Sequence, residues 1–243
     1  MRSASKREVL AAGLNMNKDL FVGIDLGGKE KKTTGVCILR EKQGKLFPFK
    51  EWCKDCEAIK GEKLLERIND YFEKTKVIAI DAPLTKGQGK GDFRLYEKFL
   101  STKTFRKAKV APLPPALMEK FCDFAREVVS DLEEKGFVLN MNLIEVFPTL
   151  TKELCGDNLF AVLGQETKEL PCKNENQKSA LTCAILAYLH SQLKTRFLGY
   201  RDGFLFLPEM DFWEEEWKDK FYQAWKEKPY LRYRYLVTNL FDQ

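Results

Sequence analysis

Histidine is nearly absent: the 243 residues hold one, His190. A Ser-His-Asp triad or a His-rich metal centre would rest on that single ring. His190 ends an apolar, helix-like run from Ala180, a place where a helix-end residue is more common than a catalyst. Long hydrophobic runs are absent too. No stretch approaches the about 20 apolar residues of a membrane span. Met1 to Lys18 holds only the short run Val9 to Leu14, too weak for a secretory signal, and reads as a flexible leader. The seven cysteines are odd in number and scattered. Cys37 and Cys183 lie inside apolar runs as small hydrophobes. Cys53 and Cys56 form one CxxC with no second pair and no nearby His, short of a structural zinc set. This usage suits a reducing cytoplasm.

With histidine removed, carboxylates and a metal are the best candidates for chemistry. The composition, 44% hydrophobic and 32% charged, is that of a globular protein. Its net charge of +5 is uneven. Up to Phe121 there are 26 Lys and Arg against 16 Asp and Glu; from Cys122 there are 15 against 20. A basic half suits a polyanionic partner, or simply a solvated lysine-rich surface.

Apolar and β-branched runs predict strands at Leu20–Asp25, Thr34–Arg40 and Lys45–Trp52, then at Lys76–Asp81, Asn142–Phe147 and Gly203–Leu207. Helical spacing predicts helices at Glu62–Phe72, Leu117–Lys135 and Ser179–Leu193. Three strands in a meander followed by alternating helices and strands describe an α/β fold, a mixed sheet with helices on both faces. Thr85 to Lys109 shows no clear period. Within Lys86 to Lys109 eight cations face two acids, so Lys86, Lys90, Arg94, Lys103, Arg106 and Lys107 are candidate nucleic-acid contacts. The tail from Glu209 holds 10 of the 30 aromatics. Trp213, Trp217, Phe221 and Trp225 recur every four residues, one helix face that docks on the domain.

Three acids sit at strand ends: Asp25, Asp81 and Glu145. An acid there is costly unless something compensates it. If neighbouring strand ends coincide, the three converge, and hard cations such as Mg²⁺ take carboxylate oxygens. Two such metals can hold a phosphodiester and activate water.

The order of these acids looks like the ribonuclease H-like superfamily. More closely, the chain resembles a family of predicted nucleases of RNase H-like fold, domain-of-unknown-function 429. The matching stretches are Gly23-Ile-Asp25-Leu with Thr34-Gly35-Val36, Ile80-Asp81-Ala82-Pro83-Leu84, Asp92-Phe93-Arg94 and Pro112-Leu-Pro-Pro-Ala-Leu-Met118. Glu145-Val-Phe-Pro148, Ala180-Leu181 through His190, and Gly203-Phe-Leu-Phe-Leu-Pro208 complete them. The resemblance implies a five-stranded sheet of order 3-2-1-4-5 over residues 19–208, with residues 1–18 a leader and 209–243 an extension packed on the domain. It implies a Mg²⁺- or Mn²⁺-dependent nuclease in which Asp25 bridges the metals and Asp81 and Glu145 complete the site. It also implies a last acid where this chain has Ser179; Glu175, four residues earlier, is the candidate substitute. Gly23-Ile-Asp-Leu-Gly-Gly28 also looks like the phosphate loop of actin-like sugar kinases, which implies an ATP-dependent phosphotransferase. A binding protein that keeps the fold without catalysis is the third reading.

Overall fold

The computed structural model describes residues 18–49, 58–164, 172, 174–228 and 233–241. Four strands open the chain: β1 (Leu20–Asp25), β2 (Lys32–Lys42), β3 (Lys45–Pro48) and the two-residue β4 (Ile59–Lys60). Gly44, at φ +74, makes the tight turn between β2 and β3 that the left-handed region requires. Then come α1 (Leu64–Ile68), β5 (Thr75–Asp81), α2 (Leu95–Leu100), α3 (Lys103–Lys107), α4 (Glu119–Glu134), β6 (Leu143–Glu145) and α5 (Pro148–Cys155). The chain continues through α6 (Glu175–Ser191), β7 (Thr195–Tyr200), β8 (Gly203–Pro208), α7 (Glu215–Glu227) and β9 (Val237–Thr238).

The fold is mixed α/β. Its main sheet has six strands along the path β3-β2-β1-β5-β6, with β4 paired to β2. β1 runs antiparallel to β2 and parallel to β5, and β5 runs parallel to β6. The expected order 3-2-1-4-5 is met only roughly, because β4 enters between the meander and the first parallel strand. Of a second sheet, β8-β7-β9, the sequence pattern announces only β8. β9 comes from the tail and pairs with β7, so the extension is woven into this sheet as well as packed on the domain.

Side-chain alternation along the strands divides the core in two. Phe21, Val77, Ala79 and Ile144 face α6, while Ile24, Ile38, Ile78 and Ile80 face α1 and α4. Helices therefore cover both faces. Asn174 caps α6, its side chain accepting the Gln177 N–H at 3.0 Å. α6 presses so closely on β1 that a Cβ at Gly23 would lie 2.1 Å from the Ala180 carbonyl oxygen and the Ala184 nitrogen. That close approach fixes the helix over the strand ends.

One expected helix is shorter than its apolar spacing suggests. Over Glu62–Phe72 only Leu64–Ile68 is α-helical, flanked by 3₁₀ turns at Gly61–Lys63 and Asn69–Lys74. Asn69 and Asp70 compete for backbone hydrogen bonds and disfavour continuation. α4 ends where Gly136, at φ +89, turns the chain: the Phe137 N–H reaches back to the Leu132 carbonyl at 3.1 Å and buries its ring. The aromatic stripe docks on the domain, but only Trp217, Phe221 and Trp225 of it lie on α7; Trp213, expected on the same helix face, precedes the helix in extended backbone. Trp217 stacks on Phe105 at 6.3 Å between centroids, Phe221 meets Phe99 edge-on at 5.7 Å, and the Trp213 indole donates to the Pro208 carbonyl at 2.9 Å. The end of the third expected strand and the Cys53-Cys56 pair lie outside the described residues. Among the described residues no helix is long and apolar enough to cross a membrane.

Candidate active site

β1 and β5 lie side by side, and their register sets Asp25 directly against Asp81. Both strands are apolar up to these residues because both are covered by helices; the acids fall where the cover ends. Burial pushes the Asp25 carboxyl up to about 7, with the Lys152 ammonium pulling the other way. Burial pushes Asp81 well above the usual carboxylate range; the Asp25 and Glu145 charges add to this and Lys152 opposes it. Two carboxylates so placed take up a proton or a cation. Behind them the Cys183 thiol is buried, donates to the Ile24 carbonyl at 3.4 Å and is held protonated by burial.

Glu145 does not join the pair. Its register partner is Ile80, one residue short of Asp81, so the pleat turns it to the opposite face from the aspartates. There it is 5% exposed and fully engaged. One oxygen accepts from the Arg94 guanidinium and, at 2.9 Å, from the Leu84 N–H; the other accepts from the Tyr96 hydroxyl. Burial raises its carboxyl, and the Arg94 charge and these donors oppose that rise. Arg94 also donates to the Glu97 carboxylate twice, through Nη2 at 2.6 Å and through its backbone N–H at 2.8 Å. Arg94 is therefore a buried strut, 2% exposed, and out of reach of a nucleic-acid backbone. That corrects the surface role its lysine-rich neighbours suggested.

Glu175 also stays apart. It stands in the first turn of α6, its side chain 78% exposed and paired to Lys178 at 2.7 Å, which lowers its carboxyl. Among the described residues no group of three His, Cys, Asp or Glu is placed to hold a metal ion. Asp25 and Asp81 are the carboxylates that could together offer oxygens to a divalent cation; Mg²⁺ is an ion that keeps several waters and binds through one or two carboxylates plus substrate phosphate.

Lys86, Lys90, Lys103, Arg106 and Lys107 are exposed, the last three on α3. A cavity of about 400 Å³ opens from the aspartates. Arg94, Tyr96 and Glu145 form its polar side, and Leu113, Met118 and Phe121 line an apolar wall. Leu113 is 64% exposed at that wall. The glycine turn after β1 is already satisfied: Gly27 and Gly28 N–H groups donate to the Thr34 and Thr33 hydroxyls at 3.0 and 3.2 Å. Those amides are not turned toward a nucleotide phosphate.

Sequence reasoning missed Lys152 and Tyr96. Lys152 rides on α5, whose start was legible: Pro148 at the first helical turn, then Leu150 and Leu154 on one face. Tyr96 belongs to Leu95, Tyr96, Phe99 and Leu100, an i, i+3, i+4 pattern hidden among lysines. Scans against family models, curated proteins and solved structures return no match for this chain.

Proposed function

We propose that this chain is a divalent-cation-dependent phosphodiesterase of RNase H-like fold that hydrolyses nucleic acid at Asp25 and Asp81. The observation that carries this reading is the register pair itself: two half-buried carboxylates, side by side at the ends of parallel strands, beside an open cavity. The strand path supports the fold assignment, since an antiparallel meander leads into two parallel strands and the acids end the first and fifth.

Asp25 and Asp81 would hold Mg²⁺ or Mn²⁺. When bound, such an ion lowers the pKa of a water and stabilises charge on the transferring phosphoryl group. In the reaction a water oxygen bonds to phosphorus, the bond to one ester oxygen breaks, and that oxygen leaves with a proton. Glu145 is not a ligand in this scheme, because freeing it would strand the Arg94 guanidinium in the interior. It serves by bracing the cavity wall. The apolar side at Leu113, Met118 and Phe121 takes the base or sugar next to the scissile phosphate. Exposed Lys86, Lys90, Lys103, Arg106 and Lys107 hold the backbone through phosphate contacts that carry no sequence preference.

The experiment is cleavage of end-labelled DNA, RNA and hybrid duplexes by purified protein with Mg²⁺ or Mn²⁺, wild type against Asp25→Asn. Metal-dependent cleavage that disappears in the variant is expected. Wild type that cuts none of these, or D25N that cuts as well as wild type, sinks the reading. ATP-dependent phosphorylation of a sugar would instead establish the kinase alternative, and binding of nucleic acid without cleavage the non-catalytic one.

A further inference from the structure

Lys109 follows α3 in a backbone shape that lysine rarely takes. Its φ is +60, in the left-handed region. The Lys109 N–H reaches back to the Arg106 carbonyl at 3.1 Å, and the Val110 N–H to the Phe105 carbonyl at 3.0 Å. This pair of bonds ends a helix through one left-handed residue, a place where glycine is the usual occupant because a Cβ is strained there. Val110 and Phe105 are both buried in the same core, which fixes the turn. The backbone at position 109 gains nothing from a side chain, so the use of lysine there lies at the far end of that side chain.

Lys109 lines the cavity that holds Asp25 and Asp81, and Ala111, Pro112 and Leu113 continue the same wall. Among the described residues two cations line this cavity, Arg94 and Lys109. Arg94 is enclosed and shared between Glu97 and Glu145, which leaves that trio with one negative charge. Asp25 and Asp81 add two more when ionised. A phosphate entering this wall therefore needs positive charge from the protein as well as from an ion on the aspartates. Lys109 is exposed, and among the described residues its ammonium has no ion-pair or hydrogen-bond partner. An ammonium is a compact point charge with three donors on a flexible stem, well suited to a phosphate oxygen.

We propose that Lys109 is the substrate-phosphate contact of this cavity: its ammonium binds a non-bridging phosphate oxygen of the nucleic-acid strand that enters beside Asp25 and Asp81. This rests on the phosphodiesterase reading above and adds a residue to it. Lys103, Arg106 and Lys107 grip the backbone from α3 outside the cavity, and Lys109 grips it at the cavity wall. An exposed ammonium holds the bound strand and its transition state alike, so its loss falls on KM rather than on kcat.

The test compares wild type, Lys109→Gly and Lys109→Arg in Mg²⁺- or Mn²⁺-dependent cleavage of end-labelled DNA, RNA and hybrid substrates, over about 50 to 200 mM salt. Glycine suits the left-handed backbone, so K109G keeps or raises Tm and its losses are not those of a damaged fold. K109G raises KM about five- to tenfold, between a screened surface contact and a buried charged hydrogen bond, and leaves kcat within about twofold. Its log KM climbs less steeply with log salt, by about 0.7–0.9, the counterion release of one phosphate. K109R keeps the charge and returns both KM and slope toward wild type, a rescue that a role in the turn alone would not give. The proposal is overturned if K109G matches wild type in KM and salt slope, if its loss is confined to kcat, or if K109R is as impaired as K109G. Wild type that cuts none of the substrates overturns the phosphodiesterase reading together with this contact; wild type that cuts, with an indifferent K109G, overturns Lys109 alone.

Discussion

Arg94→Ala is the substitution whose consequence follows most directly from the interior. Arg94 is 2% exposed and ion-pairs with two carboxylates, Glu145 and Glu97, whose side chains are 6% and 3% exposed. Removing the guanidinium leaves both without their counter-charge. Breaking a buried pair by deleting one partner costs about 3–5 kcal/mol. At about 2–4 °C per kcal/mol for a domain of this size, Tm falls by about 6–20 °C. The loss also depends on pH. In wild type, Arg94 opposes the burial that raises the Glu145 carboxyl; without it the folded value rises further. A carboxyl with a raised folded value favours the folded state below its unfolded value and loses that contribution as pH rises through the folded one. The gap between wild type and R94A is therefore wide at pH 8 and narrows toward pH 5. Urea denaturation at the two pH values measures it, and R94A/E145Q, which removes the stranded charge nearest the gap, recovers part of the loss. If R94A costs under about 1 kcal/mol, the size of a surface pair, or if the gap is the same at both pH values, the buried network is misassigned.

Gly23→Ala places a methyl 2.1 Å from backbone atoms of α6, so the helix must retreat from β1. A cost of about 1–3 kcal/mol is expected from such overpacking; an unchanged Tm would contradict the close approach. His190 accepts from the Thr195 hydroxyl at 2.7 Å and donates to the Met141 carbonyl at 2.9 Å, and burial lowers its pKa despite the opposing carbonyl. The unfolded chain then takes up a proton before the folded one does, so stability falls as pH drops through about 6.5. Denaturation midpoints at pH 7.5 and 5 show a larger loss for wild type than for His190→Gln; equal losses would contradict it. Charge reversal of Lys103, Arg106 and Lys107 on α3 weakens nucleic-acid binding and flattens its salt dependence by about 0.7–0.9 for each phosphate no longer neutralised. Fluorescence anisotropy against salt measures the slope, and an unaltered slope would remove α3 from the interface.

The sheet was legible where burial dictates composition. Leu20–Ile24 and Val77–Ile80 are continuous buried runs because helices cover both their faces, and each is followed by the acid that matters. The phase of the third acid was not legible. Glu145 also ends an apolar strand, but whether it faces the aspartates depends on register, which one residue inverts. Arg94 misled for another reason. Eight cations between Lys86 and Lys109 read as one solvated segment, while the apolar spacing at Leu95, Tyr96, Phe99 and Leu100 that buries Arg94 was diluted by them. β9 is two residues long and owes its pairing to β7, so no local pattern announces it. Lys152 lay beyond reach of any local reading, since the reach of its charge to Asp25 and Asp81 depends on the packing of α5 beside α6.

Calorimetric titration of Mn²⁺ into wild type, Asp25→Asn and Asp81→Asn tests the central claim most directly, that the two aspartates form one cation centre. Wild type binds the ion, and either substitution abolishes binding while leaving the fold, read by circular dichroism, intact. Binding in D25N or D81N that matches wild type would contradict the account.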